Sequence, residues 1–138
     1  MDQLINLAEE DKKRTKEVLS QDLEKEESIL FAYLHGSFTE ERPFRDVDIA
    51  VFVDGSRISR ESALDFEISF SIKLAKTIGM PVDVKVINYA PLAFQYHSTA
   101  GTLLMCRDDD LRVDFITRMR SVYFDFKFSM EKCRRDMG

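Results

Sequence analysis

Three short apolar runs, at residues 29–34, 47–53 and 82–87, constrain the fold of this chain more than any other feature. Each has strand length. Gly36 stands just past the first and Asp54-Gly55-Ser56 closes the second, so breakers bound them and they read as strands. Between the second and third, Leu64, Ile68, Ile72 and Ala75 recur at helical spacing. They predict a helix over residues 59–78 with that stripe facing the core, stopped by Gly79 and Pro81. Residues 3–26 are rich in Leu, Glu and Lys and lack Pro and Gly, which predicts a first helix lying mostly on the surface. A short helix near residues 91–98 and a short strand over 102–106 follow. Asp108 is placed to cap a long last helix running to about residue 135. Strands alternating with helices specify an α/β fold: a small mixed sheet flanked by helices and closed by a long C-terminal helix. No linker, repeat or low-complexity segment divides the chain, so residues 1–138 are expected to form a single domain.

Charge excludes some functions. The chain has 20 Lys+Arg against 25 Asp+Glu, a formal net charge of -5. Proteins that grip a nucleic-acid backbone through many phosphates are usually basic, so extended nucleic-acid binding is disfavoured. Cys106 and Cys133 stand far apart with no CxxC, which is neither a disulfide framework nor a zinc site and fits a reducing compartment. Acidic residues interleaved with lysines near the N-terminus do not make a signal peptide, and no apolar run approaches the ~20 residues of a membrane span. The expected location is cytoplasmic, with no membrane association.

The last helix carries more apolar surface than one core face needs. Leu111, Phe115, Met119, Val122, Phe126, Met130 and Cys133 follow the helical period, with Tyr123 beside them, while Val113, Phe124 and Phe128 fall on roughly the opposite side. Either Phe124 and Phe128 cover another part of the domain, or the helix lies between its own core and a partner chain.

Carboxylates in apolar strands are the strongest chemical signal. Asp46 and Asp48 stand two positions apart at the start of the second strand, so both leave the same face. Two such groups repel unless a cation lies between them, and a hard divalent ion bound with substrate phosphates meets that need. A DxD pair alone is weak. It recurs at Asp108 and Asp110, where a helix start gives acidic residues a structural role. The first pair stands apart because Ile-Ala-Val-Phe-Val follows it, and because Asp83 interrupts another apolar strand. If the two strands are neighbours, Asp83 joins the pair. The alternative for Asp83 is an ion pair with Lys85. Gly36-Ser37, directly after the first strand, suits a phosphate-cradling turn. His35 is expected to pack half-buried, and His97 to lie at a surface or interface.

Gly36-Ser37, eight residues, Asp46-x-Asp48 and a later strand bearing Asp83 together resemble the nucleotidyltransferase superfamily typified by DNA polymerase β. The short length and the helix after the DxD strand resemble its minimal nucleotidyltransferase (MNT) branch, over roughly residues 15–105. The resemblance implies that Gly36 and Ser37 bind the nucleotide triphosphate. It implies that Asp46, Asp48 and Asp83 bind metal and carry catalysis, the third completing the metal site or helping to deprotonate the acceptor. Arg42 and Arg45 either contact nucleotide phosphates or remain solvated beside Glu40 and Glu41.

The implied chemistry is two-metal transfer of a nucleoside monophosphate, AMP from ATP, to a hydroxyl acceptor with Mg²⁺; Mn²⁺ also accepts such ligands. Small MNT proteins are typically encoded with a helical HEPN partner as a toxin–antitoxin pair, and the antitoxin can transfer AMP to a tyrosine of the HEPN ribonuclease. The resemblance therefore implies an antitoxin-type protein adenylyltransferase. The alternatives are a catalytically idle antitoxin that inhibits by binding, and a nucleotidyltransferase for a small-molecule acceptor. A homodimer is compatible with either.

Overall fold

The computed structural model describes residues 3–137; residues 1, 2 and 138, the ends of the span read above as one domain, lie outside the described residues. In chain order the elements are α1 (Glu9–Lys25), β1 (Ile29–His35), β2 (Val47–Val53), α2 (Ala63–Ile78), β3 (Val82–Val86), α3 (Leu92–Ser98), β4 (Thr102–Cys106) and α4 (Asp109–Met137). The strands form one sheet in the order β3-β2-β1-β4. β1 is antiparallel to both β2 and β4, whereas β2 and β3 run parallel. The expected mixed sheet with flanking helices and a long last helix is what forms.

Alternation along the strands divides the interior into two layers. One face of the sheet packs Leu34, Val47, Ile49, Val51 and Val84 against Leu19 and Leu23 of α1 and Phe70 and Leu74 of α2. The other packs Phe31, Tyr33 and Ala50 against Phe94 of α3 and Leu111, Phe115 and Ile116 of α4. Phe31 and Phe52 stack there at 4.9 Å, with Phe115 4.8 Å from Phe52. The helix-end signals act as expected. Asp108 Oδ1 accepts the Leu111 N–H at 3.0 Å, and Gly79 ends α2 in the left-handed conformation at φ 72°.

Three expectations need correction. The first helix begins at Glu9 rather than near residue 3, because Ile5 exchanges backbone hydrogen bonds with Phe44 and keeps the preceding chain extended. In α2 the stripe assigned to the core faces outward: Leu64, Ile68 and Ile72 are 61%, 52% and 52% exposed. The neighbouring stripe of Ala63, Phe70 and Leu74 is buried instead, with Phe66 stacked on Phe70 at 5.3 Å. Both stripes have the helical period, and the one with the larger rings went inward. The start of α2 is also later than expected, since Ser59 and Ser62 bond each other in a turn.

In α4 the core-facing stripe ends at Met119. Beyond it only Tyr123 is half-buried, while Val122, Phe126, Met130 and Cys133 are exposed. Phe124 lies edge-on to Tyr96 of α3 at 5.5 Å, so it covers part of the domain with half its surface still exposed, whereas Phe128 is 64% exposed. No helix among the described residues is long and apolar enough to cross a membrane.

Candidate active site

Parallel pairing of β2 with β3 sets Asp48 directly beside Asp83, and antiparallel pairing of β1 with β2 sets His35 on the other side of Asp48. The three strands therefore present His35, Asp48 and Asp83 in one row, at one end of the face that α3 and α4 cover elsewhere. Asp46, one residue before β2, completes the group. One carboxylate oxygen from each of Asp46, Asp48 and Asp83 lies within 4.8 Å of the others. This is the convergence expected of the second and third apolar runs.

Such crowding is unfavourable for three anions. Burial first, then the carboxylates of Asp46 and Asp83, push the Asp48 carboxyl up to about 6. Burial holds His35 below the usual imidazole range, against an opposing pull from Asp83. The His35 Nε2 is buried with no hydrogen-bond partner among the described residues, and its ring lies edge-on to Phe94 at 5.5 Å. The half-buried packing role expected for His35 therefore holds, and the ring also walls the acidic row. Lys85 Nζ lies 3.7 Å from Asp83 Oδ1. Asp83 thus makes the ion pair weighed as its alternative and still belongs to the acidic group. Three converging carboxylates form a hard oxygen set, which suits a divalent cation of the Mg²⁺ or Mn²⁺ kind.

The turn after β1 is built against this group. Gly36 has φ 81° and ψ -165°, a region essentially restricted to glycine. A side chain there would also fall on Asp48 Oδ2. The glycine thus lets the backbone of the Gly36-Ser37 turn approach the carboxylate closely. Ser37 opens a single 3₁₀ turn whose Thr39 hydroxyl donates back to the Gly36 carbonyl at 2.7 Å. Arg42 pairs with Glu40 on the loop surface, and Arg45 is exposed. Asp108 caps α4, the structural role expected for the second DxD pair. His97 is exposed beside Tyr96 and Tyr123.

Two supports of the site have no motif. Lys12 of α1 is buried, and its ammonium donates to the carbonyls of Phe38 at 3.1 Å and Glu40 at 2.8 Å, above the rings of Phe38 and Phe44. It ties the loop between Gly36 and Asp46 to the body. Lys12→Met keeps the stem and orphans both carbonyls. It is expected to cost about 2 kcal/mol in urea unfolding and to speed hydrogen exchange across residues 36–42 while leaving β4 protected; unchanged exchange there would dismiss the anchor. The other support is α2, where Glu67 accepts the Val86 N–H at 2.7 Å and Ser71 accepts the Val84 N–H at 2.9 Å. These side chains seal the outer edge of β3 and fix the strand that carries Asp83. Only the i, i+4 spacing of Glu67 and Ser71 hints at this in the sequence.

The polymerase beta nucleotidyltransferase model matches residues 17–110, a span that holds the turn and all three carboxylates. Among curated proteins no relative matches. Several solved structures share the fold. The structure of the tri-AMPylated Shewanella oneidensis HEPN toxin in complex with MNT antitoxin matches with TM-score 0.65 and 18% identity, over 91% of this chain and 98% of that one. A toxin–antitoxin with AMP-PNP gives 0.65 and 19%, over 89% and 97%. The toxin–antitoxin MntA-HepT gives 0.62 and 17%, over 91% and 97%. With a glycine-walled acidic row on the expected strands and a family match across most of its length, the chain belongs to the polymerase beta nucleotidyltransferase family.

Proposed function

We propose that this protein transfers AMP from ATP to a hydroxyl group of a helical HEPN-type partner protein, as the antitoxin of a toxin–antitoxin pair. In this reading the whole chain acts as one minimal nucleotidyltransferase domain, in the cytoplasm. The observation that carries the reading is the convergence of Asp46, Asp48 and Asp83 beside a turn that only glycine can make. Support for the partner comes from fold neighbours described as MNT antitoxin with a tri-AMPylated HEPN toxin and as a toxin–antitoxin with AMP-PNP.

Each residue then has a part. Asp46 and Asp48 hold divalent ions from one strand, and Asp83 completes the set from the next. When bound, Mg²⁺ or Mn²⁺ supplies the positive charge that draws triphosphate and acceptor oxygens together and offsets charge developing at the phosphorus. The backbone of Gly36-Ser37 and the Ser37 hydroxyl hold the triphosphate tail. The acceptor oxygen forms a bond to the α-phosphorus, the bond to the bridging oxygen breaks, and pyrophosphate leaves. Asp83, on the edge strand β3, completes the metal site or helps to take the acceptor's proton in this reading. The protein contributes mainly orientation and fixed charge.

The test is incubation with α-labelled ATP and Mg²⁺, with and without the helical protein encoded by the adjacent gene. Label is expected on that neighbour, reduced about 1,000-fold or more by Asp46→Ala/Asp48→Ala, since several kcal/mol of transition-state stabilisation is removed. A stable complex without label would replace transfer by inhibition through contact. Label on a small molecule in the absence of any protein partner would replace the acceptor.

A further inference from the structure

The face of α4 that seals the domain does not end where the domain ends. Ile116, Met119, Tyr123, Phe126, Met130, Cys133 and Met137 recur at alternating steps of three and four, an unbroken heptad seam of apolar residues. Its first three members pack on the protein itself: Ile116 against the sheet layer, Met119 buried, and Tyr123 stacked on Tyr96 of α3 at 4.0 Å. The rest run on into solvent, with Phe126 58% and Met130 56% exposed. An isolated surface helix gains nothing from such a seam, whereas a second helix would bury it by knobs-into-holes packing.

Charge identifies the occupant. Along one flank of the seam, seven residues apart, stand Arg120, Lys127 and Arg134, all exposed. Among the described residues none of the three forms an ion pair, although Arg118 and Arg112 on the same helix do. The other flank carries Val122, Ser129 and Asp136. Two copies of α4 in parallel would set Lys127 against Val122 and Arg134 against Ser129. Antiparallel copies would set the cations against one another. Self-pairing therefore offers these cations no carboxylate, and a helix with acidic residues beside its apolar seam offers one each. A groove of about 470 Å³ already lies on this face, lined by Ala93 of α3 and by Tyr123, Phe126, Lys127, Met130, Glu131 and Arg134 of α4, two cations to one carboxylate.

We infer that the overhanging seam of α4 docks an amphipathic helix of another protein, one whose apolar stripe is flanked by Asp and Glu. The position suits the chemistry next door. Ala93 lines the groove while Phe94, the next residue, lies against His35 in the acidic row. A docked helix would thus touch α3, the same short helix that walls the acidic row through Phe94. Joined to the proposed function, that helix belongs to the protein that receives AMP. Docking itself needs neither nucleotide nor divalent ion, so failure of docking and failure of transfer are distinguishable.

Two synthetic peptides of about three heptads, with leucine along the seam and either Glu or Lys on both flanks, test this by fluorescence anisotropy with the full chain at low salt. Like charges keep each peptide from pairing with itself. The Glu-flanked peptide is expected to bind at least about tenfold tighter, with the gap closing as salt rises. Lys127→Glu/Arg134→Glu should reverse the preference. Phe126→Ser/Met130→Ser should abolish binding of both while leaving the thermal midpoint unchanged, because both residues are exposed. Equal affinity for the two peptides, or none for either, would overturn the inference. So would a wild-type dimer in sedimentation that the Phe126→Ser/Met130→Ser change dissociates, because a second copy would then cover the face.

Discussion

Asp48→Asn is expected to abolish nucleotidyl transfer and, in the absence of divalent ions, to make the protein more stable than the wild type. The two effects share one cause. Asp48 sits between two other carboxylates, partly buried, and its carboxyl is pushed up to about 6 by burial and by Asp46 and Asp83. An asparagine of nearly the same shape carries no charge to repel. After allowance for solvent screening of a partly exposed group, the gain is about 1 kcal/mol near neutral pH, or roughly 4 °C in thermal midpoint for a domain of this size. The pH dependence has a definite sign. The folded carboxyl binds its proton more tightly than the unfolded one, so its contribution is fully present below the ordinary carboxylate value of 3.8 and is lost as pH rises through about 6. The metal-free wild type should therefore lose stability relative to Asp48→Asn across that window, and the difference should be level above it. Added Mg²⁺ should stabilise the wild type and leave the variant almost unmoved, inverting their order. Activity should fall about 1,000-fold or more. A variant that is less stable than wild type without metal at neutral pH would show that the acidic row is not electrostatically strained.

The sequence exposes this row so clearly because a carboxylate in an apolar strand is costly and needs a reason. Asp48 before Ile-Ala-Val-Phe-Val and Asp83 within Val-Asp-Val-Lys-Val mark themselves, and strand pairing did the rest. Strand limits and helix caps were legible for the same local reasons: Gly79 and Asp108 act through neighbours a few residues away. What stayed hidden depends on distant parts of the chain. Nothing near Lys12 says that its ammonium will meet carbonyls 26 and 28 positions later. The first helix starts late because Phe44 holds Ile5, again a remote partner. Periodicity identified α2 as a helix but could not choose between two apolar stripes offset by one or two residues. In α4, the seam keeps its pattern past the point where the domain stops, so hydrophobic spacing predicted burial that the protein alone does not supply. That mismatch between pattern and burial is what directs attention to a partner.

Gly36→Ala is the small substitution expected to do the most damage. The residue holds φ 81° and ψ -165°, where a side chain costs about 1–3 kcal/mol of backbone strain. The new methyl would in addition fall on Asp48 Oδ2 and press on its Cγ at 3.3 Å. Neither obstacle can yield cheaply, because Asp48 is held in the middle of the sheet between His35 and Asp83. The turn must move away from the acidic row, or the Asp48 side chain must rotate out of it; either outcome separates the Gly36-Ser37 turn from the three carboxylates. The expected cost is roughly 2–4 kcal/mol of stability and about 1,000-fold in transfer. A double-mutant cycle separates strain from collision. In an Asp48→Ala background the carboxylate is gone and the remaining Cβ, 3.5 Å away, is in ordinary contact. Gly36→Ala should then cost only the backbone strain, so the two changes should be non-additive by about 1 kcal/mol or more. Strict additivity would place the whole cost in the backbone and remove the close approach of Gly36 to Asp48 as the reason for glycine at this turn.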